Sequence, residues 1–455
     1  MFTKGTIYTI IMKKALILIV TFFVCASMFA QDAKSGKDDS GTLMKYRRSS
    51  LFSVIVEHPT FPYAEAIDSA FMAMPFPDKF NDHNLPVRMI WSVARRMQKG
   101  GKKKHEENLK EIDTFISTNH IPRDLIAKWF NRNPQTGAFD MSLIQERGFY
   151  DASAADISAA EASTRNLAIL GDAGEELIGK TFMLVNDITF VDKGEVSGEI
   201  ASGIKLLASL AGKSDSVLAT AINEIDGFTV NITTYLYRLR WNDEIMGTFY
   251  KMHWISNGNQ DDTKKAAFES SDIFALDYVG VTSTSSSITT SKTFSKLTKD
   301  QQMLKAVTRG VDKAIVQLQR TYDEFKVNVP IGEISADGKT VDVPIGLKEG
   351  VNELSRYDVL MPSKDPDTGK IKYQKIADLK PVKGKIWDNR FGALEDAETR
   401  AAAKAAGQEI KDDPDGEEGD VNLNATTFEV VTRLGQIVPG CVVKESTVKV
   451  QKKKK

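Results

Sequence analysis

Residues 228–241 constrain the fold more than any other part of the chain, because they read as its clearest long strand. Side chains alternate across a strand, so Phe228, Val230, Ile232 and Leu236 share one face. The other face ends in Tyr235, Tyr237, Leu239 and Trp241, while Arg238 and Arg240 alternate with them and point to the opposite side. Either a helix covers the aromatic face, or Tyr235, Tyr237 and Trp241 form a flat platform for a glycan or another protein. Aromatic side chains suit the second role because they offer large contact area with few rotors to freeze.

Other elements follow from periodicity and punctuation. Residues 51–56 are rich in β-branched and aromatic side chains and bounded by Pro59, which predicts a strand. Residues 63–74 have the spacing of a short amphipathic helix ended by Pro75 and Pro77. Helices are expected over 87–98, 106–117, 123–130 and 152–170, with Gly100, Gly101 and Lys102 to Lys104 as an exposed linker. The texture changes at Gly179: residues 181–185 and 188–191 predict a buried strand, and 196–210 a helix of small residues. The Ser/Thr-rich run 283–291 reads as a loop or an edge strand. After it, Leu304, Val307, Val311, Ala314, Leu318, Tyr322 and Phe325 recur at steps of three and four. They form one stripe, suited to docking on a sheet rather than to a coiled-coil seam.

From Lys326 the pattern becomes short strands and turns, at 327–331, 340–343, 357–361, 371–376, 381–386, 426–431 and 437–443. Asp337-Gly338 is a strong hairpin signal, and Asp367-Thr368-Gly369 a second, slightly longer one. An insert at 393–420 is first alanine-rich and helical, then acidic, with Asp412, Asp413, Asp415, Glu417, Glu418 and Asp420 expected to stay solvated. Its spacing does not match a calcium-binding EF-hand loop. The order of Gly346 to Val351, then Tyr357-Asp358-Val359-Leu360, the second hairpin and Gly435 to Gly440 resembles the SH3-like β-domain of some bacterial envelope and flagellar-ring accessory proteins. The resemblance covers roughly a quarter of the chain and implies binding rather than catalysis.

The N-terminus carries an export signal. Met12-Lys13-Lys14 forms a charged n-region, residues 15–26 an apolar h-region, and Met28-Phe29-Ala30 a cleavage site before Gln31, which makes Met12 the expected start. An apolar run of about a dozen residues falls short of the roughly 20 a spanning helix needs, so no transmembrane segment is expected in the mature chain. Cys25 stands where an acylated cysteine could, but Phe22-Phe23-Val24 before it are bulky where a lipobox has small residues. Without Cys25, Cys441 is the sole thiol and no intramolecular disulfide can form. Losing Lys4, Lys13 and Lys14 moves the formal charge from −1 to −4, too balanced for a nucleic-acid binder. Hydrophobic residues at 42% and charged residues at 27% exclude wholesale disorder and a disulfide-dense mini-scaffold.

Chemical motifs are few. The sequence from Gly174 to Thr181 satisfies the P-loop formula, yet it follows an expected helix, places Glu175 and Glu176 where phosphates would lie, and runs into a strand. It is read as a false match, with Gly179 as a helix C-cap. Asp78, Asp82 and His83 crowd one loop with Asn81 and Asn84, a set that could bind a metal or shuttle protons, or simply cap helices. No Gly-x-Ser-x-Gly or His-x-x-x-His pattern occurs, and the five histidines are His58, His83, His105, His120 and His253. No cofactor and no metal is therefore expected. Lys452 to Lys455 end the chain as a solvated basic tail.

The expected architecture is a multi-domain α+β protein. It comprises a signal peptide (1–30), a flexible leader (31–42), a mainly helical α+β region (43–178), an α+β domain (179–325), a small all-β SH3-like domain (326–447) and a basic tail (448–455). The expected role is a non-enzymatic interaction or assembly component of the envelope, periplasmic or outer-membrane-associated, with an envelope protein as partner. The rivals are a periplasmic hydrolase using the Asp78–His83 loop and a glycan-binding module on the aromatic strand face. The sequence leaves the oligomeric state open.

Overall fold

The computed structural model describes residues 49–61, 63–91, 102–151, 176–191, 225–291, 295–364, 371–407 and 419–446. The expected signal peptide with Cys25, the leader, the helices at 152–170 and 196–210, the acidic run from Asp412 to Glu418 and the basic tail lie outside them. The protein is of mixed α+β class, built on two sheets. No helix among the described residues is long and apolar enough to cross a membrane.

The first sheet contains β1 (Ser49–Glu57), β2 (Phe80–Asp82), β3 (Met89–Trp91), β4 (Thr181–Val191), β5 (Ile225–Leu239) and β6 (Leu276–Ser291). Its order is β2-β1-β4-β5-β6, with β3 pairing the same side of β1 as β2. β1 is parallel to β2, β3 and β4, whereas β4–β5 and β5–β6 are antiparallel. β1 and β4 come from regions expected to separate at residue 178, and they build one sheet together.

Helices cover both faces, which explains why β1 and β4 are nearly unbroken hydrophobic runs. On one face, Phe52, Val54, Met183, Val185, Tyr235 and Tyr237 pack with side chains from α2 (Lys102–Thr118), α3 (Ile121–Trp129), α4 (Ser142–Asp151), α5 (Asp243–Met252) and α6 (Asp262–Glu269). On the other, Leu51, Ile55, Leu184, Val230, Ile232 and Leu236 pack against α1 (Ala64–Ala73) and α7 (Lys299–Thr321). The two-face reading of β5 holds, except that the Phe228 side chain lies outside the description. The stripe on α7 docks on the sheet as expected, with Leu304, Val307, Val311, Ala314 and Leu318 buried. Its α-helix stops at Thr321, and Phe325 belongs to a following 3₁₀ turn.

Three local expectations fail. Residues 87–98 were expected to be helical, but Met89, Ile90 and Trp91 pair with Ile55, Val56 and Glu57. A short apolar run fits either period, and strand pairing decides it here. The expected linker at Gly100 to Lys104 gives way to α2 at Lys102. Gly179 is no C-cap; it sits inside the 3₁₀ turn Ile178–Lys180 that leads into β4.

The second sheet contains β7 (Val329–Pro330), β8 (Thr340–Val343), β9 (Tyr357–Lys364), β10 (Ile371–Pro381), β11 (Thr426–Arg433) and β12 (Val442–Glu445), in the order β7-β12-β9-β10-β11-β8. The strand expected at 371–376 is β10, which runs on to Pro381, whereas no strand forms over the expected 381–386: past Pro381 the chain turns and reaches only an isolated bridge between Trp387 and Asp420. Past β7 the chain swings onto β8: Gly332 N donates to Asp342 O, and Asp342 N to Glu333 O, both at 2.8 Å. The outer strands are thereby tied together and the sheet nearly closes on itself around Val341, Val359, Leu379, Phe428 and Val443. α8 (Ala393–Ala405) occupies the alanine-rich part of the expected insert. α7 clasps this barrel through Lys305 to Glu395 and Asp396, Arg309 to Asp396 (2.6 Å) and Arg320 to Glu445 (3.0 Å).

Candidate functional site

The loop of Asp78, Asp82 and His83 does not form one site. Asp78 accepts from Lys348 (3.1 Å) and Lys79 (3.2 Å), and against its burial these two ammonium groups hold the carboxyl down to about 2. It is a clasp between the first sheet and the turn Leu347–Glu349. Asp82 is exposed and only ties its own turn, accepting from Asn84 N at 2.8 Å. His83 is fully buried, between α3 and α4. Arg147 Nη1 can only donate, so His83 Nδ1 accepts from it (3.0 Å) and Nε2–H donates to Leu125 O (3.0 Å). Burial, followed by the Arg147 charge, pushes this imidazole well below its ordinary range. With both nitrogens engaged inside the core, His83 is not placed to pass a proton to a ligand. Among the described residues no group of three His, Cys, Asp or Glu side chains is arranged to hold a metal ion.

The aromatic platform is likewise absent as such. Tyr235 and Tyr237 are buried under α2, where Asn108 Nδ2 donates to the Tyr235 hydroxyl (2.7 Å) and Tyr237 donates to Asp113 (3.3 Å). Burial raises the Tyr235 hydroxyl to about 12. The helix wins because a sheet face ending in tyrosines can be covered once each hydroxyl finds a polar partner on the helix. Of the P-loop match, Gly174 and Glu175 lie outside the described residues, and the described part leads into β4 rather than a helix. Cys441 is buried in the barrel, which pushes its thiol up, away from the reactive thiolate.

What the fold does assemble lies elsewhere. At the end of β5 an open cleft of about 370 Å³ is lined by Arg238, Arg240, Trp241, Asp277, Tyr278 and Glu324. Arg238 pairs with Glu324 at 3.2 Å, Arg240 takes Asp277 in a two-pronged grip, and Tyr278 is 43% exposed. Trp241 therefore keeps a place at a surface, in the company of Tyr278 rather than Tyr235 and Tyr237. Such paired planar groups beside an aromatic ring can hydrogen-bond and stack on a polar ligand.

Just past β1, where parallel strands leave their carboxyl ends, His58 Nε2 meets Asp187 at 2.6 Å and the ring stacks on Phe61. Nearby, burial and then the Glu57 charge raise Asp68 to about 6. Sequence reading missed this pair because 129 residues separate its members, and only the β1–β4 register brings them together.

The third feature is the outer margin of β6. Tyr322 reaches over this strand: Val281 N donates to its hydroxyl at 3.1 Å, so the backbone groups of Val281 face away from β5. No register shift separates Val281 from Ser287, hence Ser283, Ser285 and Ser287 also turn their N–H and C=O outward. The short Thr233–Ser283 (3.1 Å) and Thr229–Ser287 (2.9 Å) hydroxyl contacts across the ladder agree with these being its non-hydrogen-bonded pairs. None of these outward groups has a hydrogen-bond partner among the described residues. Compared with known proteins, the chain matches no protein-family model and no curated protein.

Proposed function

We propose that this chain is an exported assembly component of a bacterial cell envelope, which binds other proteins rather than catalysing a reaction. The observation that supports this reading is the margin of β6, uncovered among the described residues, since a row of unpaired backbone groups is a template for an incoming strand. The C-terminal barrel adds to it through its resemblance to SH3-like interaction domains, and exposes Val431 and Leu434 close together in sequence, at 55% and 70%. The leader at 1–30 addresses the chain to the periplasm or the outer membrane. The test is affinity purification from crosslinked native envelopes, with mass spectrometry of partners and of the chain's own N-terminus. A stoichiometric envelope protein, with Gln31 as the first residue, is the expected result; recovery of the chain alone would refute the reading.

A second reading, binding of a glycan, is favoured by the cleft at Arg238, Arg240, Trp241 and Tyr278. Titration with soluble peptidoglycan fragments, followed by tryptophan fluorescence, tests it. An unchanged signal at saturating fragment would remove it.

A further inference from the structure

We infer that the open margin of β6 takes a second copy of this chain, joined antiparallel across a two-fold axis at Ser287. The inference rests on the assembly reading and gives it a specific partner. Tyr322 blocks the margin at Val281, and Gly280 is what lets its ring in, since a Cβ there would lie 2.0 Å from it. The open stretch therefore begins beyond Val281, at Ser283.

Within it, the outward residues are Ser283, Ser285, Ser287, Thr289 and Ser291, spaced by two along the unshifted register. In an antiparallel pair, outward residues exchange both hydrogen bonds with the residue opposite. A two-fold axis at Ser287 sets Ser287 of one copy against Ser287 of the other, Ser285 against Thr289 and Ser283 against Ser291, so every outward group in the stretch finds a partner and none falls opposite Val281. A register centred closer to Val281 would drive the second strand into Tyr322.

The side chains suit a copy of the same strand. Thr233–Ser283 and Thr229–Ser287 already pair hydroxyls between β5 and β6, and a Ser-rich strand meeting itself repeats that small, polar, uncharged surface. Ser283 and Ser285 are exposed. The stretch also lacks the usual guards of an edge: no Lys, no Pro and no bulge interrupts it between Val281 and Ile288. A closed, self-complementary contact of this kind makes a dimer and stops there.

The test is the oligomeric state of the purified full chain by sedimentation velocity across a wide concentration range, beside Ser287→Pro and Ser287→Lys. Proline removes an N–H that faces away from β5, so no bond inside the sheet is lost. Lysine keeps the backbone and brings two like charges together at the axis. A dimer in the parent chain is expected, with its dissociation constant raised at least about a hundredfold in either variant that circular dichroism shows to be folded. A parent chain that stays monomeric, or a folded Ser287→Lys chain that dimerises as the parent does, would overturn the inference. Repeating the envelope purification with Ser287→Lys separates the two readings: an envelope partner retained by a monomeric variant leaves the assembly role standing without the dimer.

Discussion

The two margins of the first sheet solve the same problem in opposite ways. On the β1 side, the partner strand is broken into β2 and β3, and residues 83–88 between them fill the gap with side chains. Asn84 Oδ1 accepts from Ser53 N (2.9 Å), Arg88 Nε donates to Ser53 O (3.1 Å), and His83 N and Arg88 O bond to Leu51 O and Ile55 N. Every group a neighbouring strand would have used is occupied. On the β6 side a single long strand is guarded by one tyrosine at Val281, and among the described residues nothing bonds the outward backbone of the serines beyond it. The contrast shows where the described residues place their buried polar side chains: on sealing the margin that carries α3 and α4, and not on the β6 margin.

The sealed margin should break most severely at Arg147. Its guanidinium lies over Trp129, donates to His83 Nδ1 and Ser50 Oγ through Nη1, and to Asp82 O through Nη2. Arg147→Met keeps the stem but leaves two buried acceptors, His83 Nδ1 and Ser50 Oγ, and the half-buried Asp82 O unpaired, for an expected loss of about 2–4 kcal/mol in urea unfolding. Next in size is Asn84→Ala, which strands the buried Ser53 N–H and should cost about 1–3 kcal/mol. Asn84→Asp retains an acceptor and should recover most of that loss. Equal damage from both substitutions would mean that the Asn84 bond to Ser53 matters little.

Much of this contrast was beyond the reach of sequence. Strand β5 and the stripe on α7 were legible, because their periods of two and about 3.6 are carried by residues close in the chain. α5 and α6 also advertised themselves and were missed: Asn242 and Asp261 are N-caps, accepting from Ile245 N and Lys264 N, each at 2.9 Å. The Asp78–His83 loop looked like a site because polar residues were adjacent in sequence. In the structure their side chains diverge, since β2 turns Asp82 to solvent and the next residue into the core. His58 and Asp187, far apart in sequence, are what the sheet brings together. Strand register decides which polar residues meet, and register is the part of a fold that local pattern states least.

At its end the sealed margin holds a pH-dependent weakness. Asp68 on α1 is raised to about 6 by burial and by Glu57, the last residue of β1, with Glu65 adding to the effect and His58 opposing it. The folded chain binds this proton more tightly than the unfolded one, so the stabilising effect is complete at low pH and is lost as the pH rises through about 6. Asp68→Asn should therefore be neutral near pH 4 and stabilise by about 1–2 kcal/mol at pH 8, after allowance for partial solvent screening. Urea midpoints across that range are the measurement. A difference independent of pH would remove Asp68 as the titrating group.

The smallest effect is the most informative about the open margin. Tyr322→Phe keeps the ring over Gly280 and deletes only the hydroxyl that meets Val281 N and O. Stability should fall by about 1 kcal/mol or less, because the freed groups lie where water can replace the lost bond. The change that matters is at the edge: Val281 joins Ser283, Ser285 and Ser287 as an outward residue without a partner. Amide exchange at Val281 should quicken in the monomer, while exchange at residues paired to β5 stays as it was. If Tyr322 is what ends the open stretch, the same substitution lengthens the strand available to a partner and should tighten self-association of the full chain. If it guards nothing, only the Val281 amide will register the loss.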